Sequence, residues 1–191
     1  EHHQHKDVYT HSLTVLDQAI ALEKADPEHE SPDLVLRLAA LLHDIGKPKT
    51  RRFQKGGTVT FHHHDVVGAK MAKKRLRALR FDNHTVDRVE RLVGLHLRFH
   101  GYGSGEWTDS AVRRYGRDAG DQLERVHILT RAESPTRNRQ KAARLQRTYD
   151  ELEDRIAVLA EQEELDSMRP DLDGNQIMEI LGIGPGREVG D

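Results

Sequence analysis

The sequence predicts an all-α fold that carries one small β-hairpin. Three observations lead there. Apolar residues recur at spacings of three and four through most of the 191-residue chain. Ser, Thr, Asp and Asn stand just ahead of those segments, where helix N-termini need side-chain acceptors. One stretch, Thr50 to Phe61, has strand character and turns back on itself at Gly56-Gly57.

Val8 to about Leu22 reads as an amphipathic helix, with Val8, His11, Val15, Ala19 and Leu22 on one face. His11 then lies among aliphatic residues. His2, His3 and His5 precede this helix and fit solvent-exposed side chains. Ser31-Pro32-Asp33 marks the next start, with Ser31 as N-cap and Pro32 at the first helical position. This helix carries Leu34 to Ile45 and delivers His43-Asp44 before Gly46 and Pro48 break it. A buried imidazole and carboxylate are costly unless satisfied. A divalent ion satisfies both, since imidazole nitrogen and carboxylate oxygen are first-row metal ligands. The plain alternative is a core histidine bonded to its neighbouring aspartate. Adjacent helical residues point about 100° apart, so this pair grips an ion from one side only and further ligands must come from elsewhere.

After the hairpin, His62-His63-His64-Asp65 leads into a helix from Asp65 to Leu79, with Val67, Met71 and Leu79 as its apolar face and Gly68 allowing close packing. Three consecutive histidines point three ways, and His64 is the one placed for a ligand or phosphate contact. Lys47, Arg51 and Arg52 flank the His-Asp pair and suit a substrate phosphate, Arg in bidentate fashion, or else form a solvated basic loop. Asn83 or Thr85 caps a helix running to Phe99, whose buried stripe is Val89, Leu92, Val93, His96 and Phe99. Trp107-Thr108-Asp109 opens another helix, and Asp121 to Glu133 a further one, with Val126, Leu129 and Glu133 on one face. A carboxylate on a core face needs a partner. Asn138 to about Arg169 is a long charged helix with a narrow seam of Ala143, Tyr149, Leu152, Ile156 and Leu159. It is either a coiled-coil-like arm or packed along the domain. Asp173 caps a short last helix, Ile177 to Leu181, which Gly182 stops.

The string His43-Asp44-Ile45-Gly46-Lys47 resembles the signature of HD-domain metal-dependent phosphohydrolases. The resemblance implies that a histidine on the preceding helix, His11, joins His43 and Asp44 around one ion. It implies a closing aspartate in a late helix, in a context like Leu-Thr-Arg-Ala-Asp; this chain has Leu129-Thr130-Arg131-Ala132-Glu133. His64 and His96 would hold a second ion or orient the phosphate, and Asp44 would bridge. The expected cofactor is a divalent metal (Mn, Ni, Zn, Fe or Mg), one or two per chain. The Asp-Gly-Tyr-Pro pattern of cyclic-dinucleotide phosphodiesterases and the Glu-Asp of guanosine-tetraphosphate hydrolases are both absent. The tail, Asp-Gly followed by Ile-Met-Glu-Ile-Leu-Gly-Ile and Pro-Gly, resembles the C-terminal region of bacterial CCA-adding tRNA nucleotidyltransferases and poly(A) polymerases. Phosphoester hydrolysis of the 2′,3′-cyclic phosphodiesterase or nucleotidase type is the implied activity, on tRNA or nucleotide substrates. A nucleotidyltransferase head is then expected N-terminal to this chain in a longer protein. The chemistry of that head needs a paired-carboxylate strand that this sequence lacks. The competing expectation is an RNA-binding or spacer module with an inactive site.

Composition sets the remaining bounds. The chain is 32% charged and 36% hydrophobic, with no run apolar enough to span a membrane and no signal peptide. Cysteine is absent, which excludes disulfides and thiolate chemistry and fits a cytoplasmic protein. Formal net charge is -2, so any nucleic-acid contact must use local patches. Two basic segments offer them: Lys73, Lys74, Arg75 and Arg77, and the cluster of Arg137, Arg139 and Arg144. The expected organisation is an HD-type domain over residues 1–135, then the long helix and tail over 136–191. The chain starts without Met and reads as a piece of a longer protein.

Overall fold

The computed structural model describes residues 7–27, 29–54, 56–101, 107–133, 139–167, 174–182 and 184. His2, His3, His5, Arg137 and Asp173 lie outside the described residues, as does the Arg139 side chain. The chain runs α1 (Val8–Ala25), α2 (Leu34–Leu42), α3 (Lys47–Thr50), β1 (Arg52–Phe53), β2 (Val59–Thr60), α4 (His64–Ala78) and α5 (Asn83–Leu95). It continues through α6 (Asp109–Ala119), α7 (Leu123–Glu133), α8 (Arg139–Ser167) and α9 (Gly174–Leu181). The all-α reading with one hairpin holds. The two strands pair antiparallel, Arg52 with Thr60 and Phe53 with Val59.

Several boundaries differ from the sequence reading, each for a local reason. Asp7 caps α1, its carboxylate accepting from the Tyr9 and Thr10 amides. Asp33, not Ser31, caps α2 by accepting from the Leu36 amide at 3.0 Å; the Ser31 hydroxyl instead donates to Glu23 at 2.5 Å. Asp82 takes the cap assigned to Asn83 or Thr85, bonding both the Thr85 amide and its hydroxyl. Helix α2 ends at Leu42, so His43 to Gly46 form a turn rather than a last helical turn, and Lys47 begins the short α3 with Pro48 in its first turn. Helix α5 stops at Leu95, and a 3-10 turn, Arg98–Gly101, follows.

Helices α1, α2, α4, α5 and α7 pack around one core, with α1 against α2 and α7, and α5 against α2 and α4. Small residues let them approach. Ala19, Ala39, Ala40, Ala72 and Ala132 are buried between larger Leu36, Leu76, Leu92 and Leu129. The buried face of α4 is Gly68, Ala69, Ala72 and Leu76, while Leu79 is exposed; the expected Val67, Met71 and Leu79 stripe is displaced by about one position. Helix α8 packs along α6 and sinks Tyr149 and Leu152 into the core, with Ile156 and Leu159 partly buried behind them. Ala143 stays exposed. A buried carboxylate that periodicity does not mark ties α1 to α2. Glu23 accepts from Arg37 Nη2 at 2.7 Å and Nε at 3.1 Å, and these bonds hold its pKa down at about 2.

Gly46 lies hard against the start of α4. Gly46 has ordinary helical dihedrals, φ -78 and ψ -20, so its φ does not call for glycine. Space does: a Cβ there would stand 2.3 Å from the His64 carbonyl oxygen and 2.8 Å from the Gly68 nitrogen. Both obstacles are backbone and cannot swing away. Gly46→Ala should therefore cost about 3 kcal/mol and push the His43–Gly46 turn off α4. Chemical denaturation measures it; a loss under about 1 kcal/mol would mean the turn moves freely.

Candidate metal centre

Four histidines and one aspartate meet where the turn after α2 lies on the start of α4. Helix α1 supplies His11, the turn supplies His43 and Asp44, α4 begins with His64, and His96 follows the last turn of α5. The ring centroids form a chain: His11 to His43 5.4 Å, His43 to His96 5.5 Å, His96 to His64 5.3 Å. Of the three consecutive histidines, His62 and His63 are exposed and only His64 is buried. The backbone arranges this, because His63 takes a left-handed conformation (φ 60, ψ 25) as the N-cap of α4 and turns the chain before His64.

Asp44 sits at the centre, with its side chain only 2% exposed. Its Oδ2 faces His43 Nε2 at 3.3 Å and His11 Nε2 at 3.6 Å, and its Oδ1 faces His64 Nε2 at 3.3 Å. The Lys47 ammonium donates to Oδ2 at 2.6 Å. Burial pushes the Asp44 carboxyl up, but its contacts with His43, His64 and Lys47 outweigh this and hold it well below the usual carboxylate range. Burial likewise lowers the His43 pKa, yet contact with Asp44 and the charge of Glu133 raise it overall. For His96 burial outweighs the Val93 carbonyl bond and the Asp44 charge and takes the pKa down to about 3, so its imidazole is neutral.

The tautomers are set by backbone three residues upstream. His43 Nδ1 donates to the Ala40 carbonyl at 2.8 Å, His64 Nδ1 to Phe61 at 2.8 Å and His96 Nδ1 to Val93 at 2.6 Å. In the neutral ring each Nε2 then carries the lone pair. The Nε2 atoms of all three are buried with no hydrogen-bond partner, and so is Glu133 Oε1. Buried polar atoms are rarely left so. A histidine whose Nδ1–H is fixed by a carbonyl and whose Nε2 is bare is the arrangement metal-ligating histidines adopt. Two sets of ligand atoms lie within 4.8 Å of one another, one of His11, His43 and Asp44, the other of Asp44, His64 and His96. The nitrogen and oxygen donors suit a first-row divalent ion. Neither set includes Glu133, the last residue of α7.

The outer residues fall differently. Lys47 is part of the centre. The Arg51 guanidinium lies 4.6 Å over the Phe53 ring, and Arg52 Nη1 donates to the Arg51 carbonyl at 3.0 Å. Lys73 pairs with Glu90 at 2.5 Å and Asp87 at 3.3 Å, whereas Lys74, Arg75, Arg77 and Arg144 are exposed. Sequence reasoning misses the carbonyl partners of the histidines, although the spacing of three from each histidine to Ala40, Phe61 and Val93 is a signal present in the chain. It also misses His127, buried on α7, whose Nδ1 bonds Glu153 of α8 at 2.6 Å.

Comparison with known proteins agrees with this geometry. Over 188 residues the chain is 30% identical to the A-adding tRNA nucleotidyltransferase of Deinococcus radiodurans, covering 98% of this chain and 41% of that protein. It is 35% identical over 165 residues to the CC-adding tRNA nucleotidyltransferase of Thermus thermophilus, covering 84% of this chain and 34% of that one. A multifunctional CCA protein of Neisseria meningitidis matches at 32% over 104 residues, which is 54% of this chain and 22% of the relative. The chain thus spans well under half the length of these relatives. Among the described residues, no helix is long and apolar enough to cross a membrane. The HD domain profile matches residues 8–138, which takes in all five residues of the histidine–aspartate cluster, and the chain belongs to the HD domain family.

Proposed function

We propose that this chain is a metal-dependent phosphoester hydrolase module of a tRNA nucleotidyltransferase-type protein. The observation that carries the reading is Asp44. It is buried, Oδ2 faces His11 and His43 while Oδ1 faces His64, and the buried Nε2 atoms of His43, His64 and His96 make no hydrogen bond. In this reading His11, His43 and Asp44 hold one divalent ion, with Glu133 as the closing carboxylate. His64 and His96 hold a second ion or the phosphate, with Asp44 shared. Ions bound there would supply Lewis acidity toward water and toward phosphoryl oxygens.

The chain's own groups supply the rest. Asp44 stays ionised and draws the imidazoles together around one centre. The carbonyls of Ala40, Phe61 and Val93 keep the ring orientations fixed, so little reorganisation accompanies substrate arrival. Lys47, with its side chain 27% exposed, carries its charge from Asp44 to the rim and can neutralise an arriving phosphate there. Substrates of the reading are 2′,3′-cyclic phosphodiesters or nucleotides, including tRNA ends. Lys74, Arg75, Arg77 and Arg144, with Arg137 and Arg139, would touch the RNA backbone, and Lys73 only once released from Glu90 and Asp87. The partner within the longer protein is the nucleotidyltransferase head.

The test is metal analysis of chain purified without chelating resin, then turnover on bis-p-nitrophenyl phosphate and nucleoside 2′,3′-cyclic phosphates before and after EDTA. Roughly one tightly held divalent ion per chain is expected, with turnover lost on chelation and restored by manganese or nickel. Weak tRNA binding that falls steeply with salt should accompany it. A chain that binds tRNA and takes up metal but turns over nothing would favour the inactive RNA-binding module. A chain that stays metal-free after supplementation with manganese, nickel, zinc and iron sinks the reading.

A further inference from the structure

From the hairpin we infer that Phe53, backed by Arg51, is a stacking platform for the nucleobase of a substrate held at the Asp44 centre. The inference rests on the reading of that centre as a phosphoester site. Phe53 is 71% exposed, the most exposed of the large hydrophobic residues described. A guanidinium, that of Arg51, stands 4.6 Å over its ring. An aromatic face held by an arginine plane is how proteins grip unstacked bases.

Position gives the stack its meaning. Both roots of the hairpin adjoin residues of the centre. On one side Lys47, bonded to Asp44, lies three residues before Thr50, the end of α3, and Arg52 begins β1 two residues later. On the other, β2 ends at Thr60 and the next carbonyl, that of Phe61, fixes His64 Nδ1. Lys47 Nζ stands 5.9 Å from the Phe61 ring centroid, so Phe61 borders the Asp44 site. Alternation along a strand puts residues two apart on one face. Phe53 pairs with Val59, and Val59 is two residues from Phe61. Carried one residue past each two-residue strand, this alternation sets Arg51 beside Phe53 and Phe61 beside Val59 on one face, and Lys47 lies against Phe61 there. Phe53 lies two residues up the ladder from the level of Phe61, roughly 7 Å away. That is within reach of a nucleoside whose phosphate sits beside Lys47.

Charge agrees. Lys47, Lys49, Arg51 and Arg52 surround the root of the hairpin with cations, which suit an anionic ester and not a neutral one. Sequence alone assigns Arg51 to phosphate; its place over Phe53 moves it to the base.

The test is binding, which does not require turnover. The manganese-loaded chain is titrated calorimetrically with AMP and with ribose 5-phosphate, which lacks the base, and by fluorescence with 2-aminopurine riboside 5′-phosphate, which is quenched on stacking. AMP should bind at least roughly tenfold tighter than ribose 5-phosphate, and the 2-aminopurine probe should be quenched. Phe53→Ala should bring the AMP affinity down to that of ribose 5-phosphate and abolish the quench, and Phe53→Trp should restore both. Equal affinities in the parent chain, or a Phe53→Ala chain that still prefers AMP, overturns the stack even if phosphodiesters are hydrolysed. A base preference lost in Phe53→Ala without any phosphodiester turnover keeps the stack and sinks the hydrolase. Failure of both phosphates to bind overturns both.

Discussion

Asp44→Asn should empty the centre while leaving the fold intact. The change keeps the volume of the side chain and removes the charge shared by His11, His43, His64 and Lys47. Because Asp44 belongs to both ligand sets, its loss weakens two sites at once. Removal of a single electrostatic stabiliser costs about 10²–10³ in rate. Phosphodiester turnover should thus fall by at least about a thousandfold, and the metal content to near zero. Circular dichroism and metal analysis on the same sample check it. His96→Ala touches only one set. It should leave metal at the His11 and His43 side, and the two variants together separate a shared site from a single one. If Asp44→Asn retains the metal content of the parent, Asp44 is a structural anion for Lys47 and the histidines, not a ligand.

Much of this centre is legible in the amino-acid sequence, for a physical reason. A histidine on an otherwise apolar helical face has few ways to be satisfied, so His11 and His96 are marked by periodicity, His43 by its neighbour Asp44 and the HD resemblance, and the fold brings all three together. The helical order is legible too, since i, i+3, i+4 repeats are strong over long helices such as α1, α5 and α8. The helix ends are not. Ser31, Asn83 and Thr85 are good caps by type, but Asp33 and Asp82 stand one to three residues away and carry a full charge toward the same amides. Local preference cannot rank such neighbours; the direction of the incoming chain does. The buried face of α4 escapes periodicity because its contact surface is glycine and alanine, which a hydrophobic repeat does not register. The same blindness hides the reason for Gly46, which looks like a helix breaker in sequence and is a close contact in space. Ion pairs across the chain, such as Glu23 with Arg37 or His127 with Glu153, depend on side-chain reach between helices and leave no local pattern.

Glu133 is where this chain departs from the aspartate that its resemblance implies, and the structure makes the departure measurable in two ways. Its Oε1 is buried without a hydrogen-bond partner, and burial pushes its pKa up to about 7. A carboxyl whose folded pKa lies above its unfolded value costs nothing while both are protonated. It destabilises the fold progressively as pH rises from the ordinary 4.5 to about 7, then by a constant amount. The full cost is on the order of 3 kcal/mol. Metal-free protein should accordingly lose stability across that window, and Glu133→Gln should flatten the loss, as read by denaturation at pH 5 and pH 8. A parent and a Glu133→Gln variant with parallel profiles would show that the carboxyl reaches water. In the metal-loaded chain the question is reach. Glutamate carries its carboxylate one methylene further from the backbone than aspartate, and misplacement near 1 Å costs about a hundredfold in rate. If the site is proportioned for aspartate, Glu133→Asp should raise turnover on bis-p-nitrophenyl phosphate by tens of fold with unchanged metal content. A slower Glu133→Asp would mean that the helix has already shifted to suit glutamate. If Glu133→Ala equals the parent in both metal and rate, Glu133 is no ligand, and its only effect is the cost of a buried carboxyl.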